Sequence, residues 1–401
     1  MNSIDEKEMV NDLTFNLKEE FNRVYGYLTS DVKAFFSPGR VNLIGEHIDY
    51  NGGLVFPAAI NLGTYGVVIP RKDLTFRFFS LNFVEDGIIE IGMNQLTYDK
   101  KHHWANYTKG IIAELKSRKY AIQHGFDLLV FGTLPTASGL SSSASLELLT
   151  AWICNDIYKL NLSREYLALL SQHVENNYMG MHCGIMDQLI IAKGIKNRAL
   201  LMNTATLETI DVNANFEGYT WVIMNTKYPR KTTDSKYNER RSECEKALSI
   251  IRKHKDVKYL CELSEKELLA IKPHFQDEVI FNRAKHAVSE QLRTVQSQYA
   301  MEKNDPVMFA TLMNQSHESL KNDYEVTGFH LDTIVNLACQ FGAIGARVTG
   351  AGFGGCAIAL VPNHMLEDFD QQVEKEYLNQ TGLKAEFYHI TFENGVDIYV
   401  D

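Results

Sequence analysis

Apolar residues recur along this chain with two alternating periods. Residues 5–26 place Met9, Leu13, Phe15, Leu17, Phe21 and Tyr25 at helical intervals, which predicts an opening helix. Residues 31–92 carry short apolar runs broken by Gly, Pro and Asn, such as Leu62–Ile69 and Leu74–Phe79, and these predict strands. Trp104–Ser117 returns to the helical period, with Tyr107, Ile111, Ile112 and Leu115 on one face. A buried strand is predicted at Phe126–Phe131, then a loop, a helix from about Ser141 to Leu160 and a second over Arg164–Met179. The glycine-flanked segment Met181–Gly184 leads into another helical start at Ile185–Ala192.

Residues 198–225 are again strand-like. Helical patterning then dominates, over Glu239–His254, Ser264–Lys272, Glu278–Gln298, Pro306–Asn322 and His330–Phe341. Ala346–Thr349 and Cys356–Val361 read as strands around a glycine loop, the second stopped by Pro362. A helix over 364–380 and a strand over 385–391 follow. Strands thus dominate before about residue 225 and helices after it, which predicts two α+β domains divided near 205–225.

A length of 401 residues agrees with two domains. The net charge of -10 leaves no basic excess to neutralise a phosphate backbone, so a general nucleic-acid binder is excluded, though not a local pocket for one nucleotide. The six cysteines stand no closer than 17 residues apart, so there is no C-x-x-C pair, and they read as buried small hydrophobes in a reducing compartment. Met1–Glu20 lacks the basic start and apolar run of a signal peptide, and no apolar run approaches membrane-spanning length. A cytoplasmic protein with no membrane partner is expected.

The chemistry-bearing stretch is 38–53, Pro-Gly-Arg-Val-Asn-Leu-Ile-Gly-Glu-His-Ile-Asp-Tyr-Asn-Gly-Gly. An apolar strand core of Val41, Leu43 and Ile44 runs into a turn presenting Arg40, Glu46, His47 and Asp49, donors and acceptors suited to a polyhydroxylated small molecule; the alternative is a charged surface loop. Leu134–Ala144, Leu-Pro-Thr-Ala-Ser-Gly-Leu-Ser-Ser-Ser-Ala, opens a helix and could cradle phosphate with its N–H groups and hydroxyls, or simply be a serine-capped helix. It has no P-loop lysine. Gly350–Gly355 matches G-x-G-x-x-G, but a strand follows it instead of a helix, so a hairpin is expected and a dinucleotide site rejected. Asp187, near a helix start, could be a capping acid or a base, and Glu175, near a helix end, would ordinarily be solvated.

Three of these segments together resemble one family. Gly39–Tyr50 closely resembles the galactokinase signature, Pro135–Ala144 the phosphate loop of the GHMP kinases, and Arg347–Gly355 that superfamily's third motif. Ser235–Arg241 is similar to a further galactokinase segment. The resemblance implies a two-domain α+β GHMP kinase fold. Its first domain (1–212) would hold a mixed sheet with helices, and its second (213–401) an antiparallel sheet with helical layers. It implies ATP-dependent phosphorylation of the anomeric hydroxyl of galactose by an expected monomer. Asp187 would be the base and Arg40 its partner. Glu46, His47, Ile48, Asp49, Gly184 and Tyr237 would bind the sugar. Ala137, Ser138, Gly139, Leu140, Ser141, Ser142 and Ser143 would bind ATP, with Ser143 and Glu175 holding Mg2+. Two departures stand out: Ala137 where the family usually has glycine, and Ile48 where it usually has threonine. The alternatives are an N-acetylgalactosamine kinase and a non-catalytic sugar sensor, the latter disfavoured by the intact serine run and Asp187.

Overall fold

The computed structural model describes residues 16–27, 32–135, 139–229 and 233–399. Of the opening helix, residues 16–25 are described and form α1; the rest of that prediction lies outside the described residues. Next come β1 (Lys33–Asn42), β2 (Leu54–Val55), β3 (Pro57–Pro70), β4 (Thr75–Ser80), β5 (Ile89–Gly92), α2 (Ala105–Ser117), β6 (Phe126–Gly132), α3 (Ser142–Ile157), α4 (Arg164–Asn177) and α5 (Met186–Lys193). Then follow β7 (Arg198–Asn203), β8 (Thr209–Asn213), β9 (Tyr219–Asn225), α6 (Thr233–Ile251), α7 (Glu265–Ile271), α8 (Glu278–Glu302), α9 (Pro306–Asn322) and α10 (Phe329–Gln340). The last elements are β10 (Gly345–Val348), β11 (Cys356–Pro362), α11 (Leu366–Thr381), β12 (Glu386–Ile390) and β13 (Asp397–Ile398).

Three sheets organise these elements. The first has the order β13-β1-β3-β6-β4-β5, antiparallel except for the parallel pair β4/β6. The second, β10-β11-β9-β12, is antiparallel throughout, and the third is the small β2-β7-β8. A mixed sheet early and an antiparallel sheet late agree with the expected fold class. The expected division at 212/213 cuts β8 before its last residue, while β13 returns to pair with β1. Buried side chains also cross that division: Val41, Ile44 and Phe56 share one core with Trp221, Ile223, Phe309 and Phe392.

β1 holds Pro38 although it lies between two other strands. Proline cannot donate to a ladder, and β13 pairs only with Phe35 and Phe36, so beyond them that edge of β1 is free of a ladder. A register shift between Pro38 and Gly39 on the β3 side then redirects the strand just before Arg40. Leu43 and Ile44, expected within the strand, lie past its end, yet both are fully buried. Helix α6 begins at Thr233, six residues before its predicted start, which puts Tyr237 on a helix. The cysteine expectation needs correcting: Cys154, Cys244 and Cys356 are buried, but Cys183 and Cys261 are only partly so and Cys339 is exposed.

β6 feeds the loop that enters α3, and a buried charge fixes its start. Asp127 is fully buried and accepts from Arg71 Nη1 (3.0 Å) and from Arg77 Nε (2.8 Å), the latter on the parallel neighbour β4. Tyr25 of α1 lies under the Arg77 guanidinium and donates to Leu128 O at 3.0 Å. Removing one partner of a buried ion pair strands the other charges. Asp127→Ala should therefore lower unfolding free energy by about 3 kcal/mol or more, measured from the denaturant midpoint; a cost below about 1 kcal/mol would show that Arg71 and Arg77 are satisfied without it.

Candidate active site

Five segments converge on one cavity of about 350 Å3: the end of β1 with the turn after it, the loop entering α3, the end of α4, the start of α5, and the β10–β11 hairpin loop, with α6 adding Tyr237. Arg40, Glu46, His47, Asp49, Gly139, Ser141, Ser142, Ser143, Glu175, Gly184, Asp187 and Tyr237 all line it. Ile48 and Leu140 do not. Ile48 is fully buried behind the turn against Gly53, and Leu140 is buried with its carbonyl accepting from Arg40 N at 3.3 Å. Ala137 and Ser138 lie outside the described residues. Sequence reasoning gave no site role to Tyr107, Met181, Cys183 or Met186, which also line the cavity. The glycines flanking 181–183 were the available signal for two of them; Tyr107 reads as one more apolar position of a helix face.

The centre of the cavity is an ion pair. Arg40 Nε donates to Asp187 Oδ1 at 2.8 Å and Nη2 to Oδ2 at 2.9 Å, while Nη1 donates to Gly139 O at 2.6 Å. Burial acts to lower the Arg40 pKa, but the charges of Asp187 and Glu46 outweigh it and hold the guanidinium above its ordinary range. Ser141 Oγ donates to Asp187 Oδ2. Ser141 sits in the left-handed region (φ 62°) and makes no capping bond to α3, so the serine-cap reading fails for this residue. Asp187 stands in the first turn of α5 with its carboxylate committed to Arg40 and Ser141, and so acts as neither cap nor solvated acid.

At one end the turn after β1 presents its polar groups. Arg347 holds Glu46 Oε2, and burial pushes the Glu46 carboxyl up against the pull of Arg347 and Arg40. His47, at φ 61°, meets Ala351 O with Nε2 at 3.1 Å and Tyr50 OH with Nδ1 at 2.8 Å. A carbonyl only accepts, so Nε2 carries the hydrogen and Nδ1 accepts from Tyr50. Burial, then the charge of His286, lowers the His47 pKa to about 3, so the ring is neutral. It therefore offers a ligand ring carbons and no free nitrogen. Asp49 lies against Gly184, where a Cβ would fall 1.8 Å from Asp49 Oδ2; only glycine permits that approach. Tyr237 packs its ring near His47 and Tyr50, with centroids 5.6 and 5.5 Å away.

At the other end Ser143 Oγ donates to Glu175 Oε1 at 2.8 Å and Gln188 Nε2 to Glu175 Oε2 at 2.5 Å. Glu175 is buried, contrary to the ordinary expectation for a glutamate near a helix end. Burial pushes its carboxyl up to about 7 against the Ser143 bond, with the Asp187 charge adding to the rise. A hydroxyl and one carboxylate are hard oxygen donors that suit Mg2+ completed by water and phosphate oxygens. Among the described residues no three His, Cys, Asp or Glu side chains gather into a metal cage.

Asp49 supplies a pH test. Burial first, then the charges of Asp187 and Glu46, raise its pKa from 3.8 to about 7. Between those values the native state keeps a proton that the unfolded chain releases, so this contribution favours the fold at low pH and is lost as pH rises towards 7. His47 and His286, lowered by burial to about 3 and about 4, act in the opposite sense over an overlapping window, so the informative comparison is between proteins. In ligand-free thermal melts at about pH 5 and about pH 8, Asp49→Asn should gain more, or lose less, Tm than the wild type on raising pH; equal changes would contradict the assignment.

Comparison with known proteins places the chain in a family. The galactokinase galactose-binding signature matches residues 19–70, the GHMP kinase N-terminal domain 106–194 and the GHMP kinase C-terminal domain 297–377. Galactokinase from Clostridium beijerinckii is 46% identical over 94% of this chain and 97% of its own length, and that from Staphylococcus saprophyticus 48% identical over 92% and 95%. The crystal structure of Lactococcus lactis galactokinase complexed with galactose superposes with a TM-score of 0.94, at 44% identity, covering 96% of this chain and all of that one. Methanococcus jannaschii mevalonate kinase, at 22% identity and a TM-score of 0.62 over 90% of this chain and 98% of its own, shares the fold. No described helix is long and apolar enough to cross a membrane. With signature, domains and near-full-length relatives in accord, the chain belongs to the galactokinase family and has the two-domain GHMP kinase fold.

Proposed function

We propose that this chain transfers the γ-phosphoryl group of ATP to the anomeric hydroxyl of galactose, giving galactose 1-phosphate and ADP. The observation that carries the reading is the carboxylate of Asp187, clamped by Arg40 and Ser141 between the turn of Glu46 and Asp49 and the serine loop, within one cavity. Sugar at the first end and phosphates at the second would meet at Asp187. Asp187 accepts the anomeric hydroxyl proton as the sugar oxygen bonds to phosphorus and the bond to the ADP oxygen breaks. Arg40 fixes the carboxylate through a two-pronged hydrogen bond, a geometry that a lysine could not reproduce. Its charge also lies near the transferring group, where negative charge must be stabilised.

The start of α3 contributes N–H groups and the positive end of a helix dipole to the phosphates. Ser143 and Glu175 would hold Mg2+, which supplies charge neutralisation at the phosphate oxygens when bound. Six free cysteines support a cytoplasmic setting. The assembled Asp187–Arg40 pair favours an enzyme over a sugar sensor.

Asp187→Asn should keep the native circular dichroism spectrum while turnover falls at least about 10²-fold; wild-type turnover in that variant would remove Asp187 as the base. Asp49→Ala should raise the KM for galactose with nucleotide affinity little changed, by initial rates and calorimetry, and an equal loss of both would refute its place at the sugar end. ADP release assayed across galactose, N-acetylgalactosamine, glucose and mevalonate tests the substrate directly: galactose should turn over fastest, and a preference for any other sugar would redirect the reading.

A further inference from the structure

The turn that presents the sugar-binding carboxylate is held from outside the cavity, by one helix of the second half of the chain. Glu290 on α8 is fully buried. Its Oε1 accepts from Gly45 N at 3.0 Å, Glu46 N at 3.2 Å and Ser316 Oγ at 2.7 Å, and its Oε2 accepts from Arg293 Nε at 2.8 Å. One helical turn earlier, His286 is also fully buried, and its Nε2 meets Glu46 O at 3.0 Å. Because that carbonyl only accepts, Nε2 is the donor, and Nδ1 accepts from Ser319 Oγ at 2.9 Å. Residues four apart on a helix share a face. This pair thus takes the peptide of Glu46 by both polar groups, its N–H at Glu290 and its C=O at His286.

The turn needs such a hold. Gly45 sits at φ 94° and His47 at φ 61°, in the left-handed region that a non-glycine residue avoids. Conformations of that kind persist only where the surroundings over-determine them. Successive N–H groups in such a turn form a concavity that attracts an anion. Here the anion is the carboxylate of Glu290, kept ionised although burial opposes it, because the charges of Arg293 and Arg347 and the Ser316 hydrogen bond help bring its pKa down to about 2. Neither Glu290 nor His286 lines the cavity, so neither is placed to touch substrate.

We propose that Glu290 and His286 are positioning residues of the sugar end: by fixing the Gly45–His47 turn they aim Glu46 and Asp49 at the sugar, and they leave the nucleotide end untouched. This rests on the galactokinase reading of the cavity.

The test is steady-state kinetics of Glu290→Gln and His286→Ala, with wild type as control. In Glu290→Gln the galactose KM should rise about tenfold, while the ATP KM stays within about twofold and kcat falls less than KM rises. The melting-temperature increase produced by galactose should shrink, and that produced by Mg-ATP should not. A merely structural role would leave fewer active molecules, lowering kcat and sparing both KM values. If Glu290→Gln does not fold, His286→Ala, which keeps the buried carboxylate and its donors, is judged by the same split. Equal rises in both KM values, or an unchanged galactose KM in a folded variant, would overturn the proposal. A wild-type protein that turned over no galactose would instead overturn the functional reading on which it stands.

Discussion

A guanidinium cannot be taken out of water without a partner, and in this protein Arg40 is almost wholly out of water. Its partner, Asp187, comes from another element far along the chain, and the carbonyl of Gly139 in the loop before α3 takes a third bond. That single requirement brings the end of β1, the loop before α3 and the first turn of α5 together. Each lines a different part of the cavity. The charges continue in alternating sign, from Asp187 through Arg40 to Glu46 and then Arg347, whose other guanidinium nitrogen donates to Asn42 O at 2.7 Å. Arg347 is fully buried on β10, so the row that begins at Asp187 finishes inside the second half of the molecule. Asp49 stands beside the row as an unbalanced acid, and its raised pKa is the electrostatic price of that position.

Much of this was legible in the sequence because the relevant chemistry is local. Arg40 through Asp49 span ten consecutive residues, the serines stand at one helix start, and Asp187 lies three residues from Gly184; such spacing survives without knowledge of the fold. The long helices were legible for the same reason, since a strong 3.6-residue period is a local property. The start of α6 was not, because Lys227–Asn238 contains almost no apolar residues to mark a face, although Thr233–Asn238 is helical. β2 and β13 are two residues each, too short to show any alternation.

What could not be read was the support behind the turn. Glu290 and His286 lie on a helix whose charged residues look, in sequence, like an ordinary solvated face. Their roles depend on which segment lies opposite them, and that is a property of the tertiary fold alone. Ile48 illustrates the converse. Adjacent residues in a recognition motif invite a shared role, yet Ile48 turns into the core while His47 and Asp49 line the cavity. His47 lines it with both ring nitrogens already bonded within the protein, one of them to the hairpin loop at Ala351.

The pairing of β13 with β1 has a consequence for how the molecule comes into being. A ribosome releases the strand that carries Arg40 long before the residues that complete its surroundings exist. Its ladder neighbour on one side is Asp397–Ile398, and the holders of the adjoining turn are residues 286, 290 and 347. Contacts of such wide sequence separation form slowly, because the intervening chain must be ordered first. The nascent first half therefore emerges with the Glu46 turn unsupported and the far edge of β1 open, a state in which unpaired strand edges invite association with other chains. The candidate site is thus among the last parts of the protein to be finished, although the strand and turn that open it are among the first to be made.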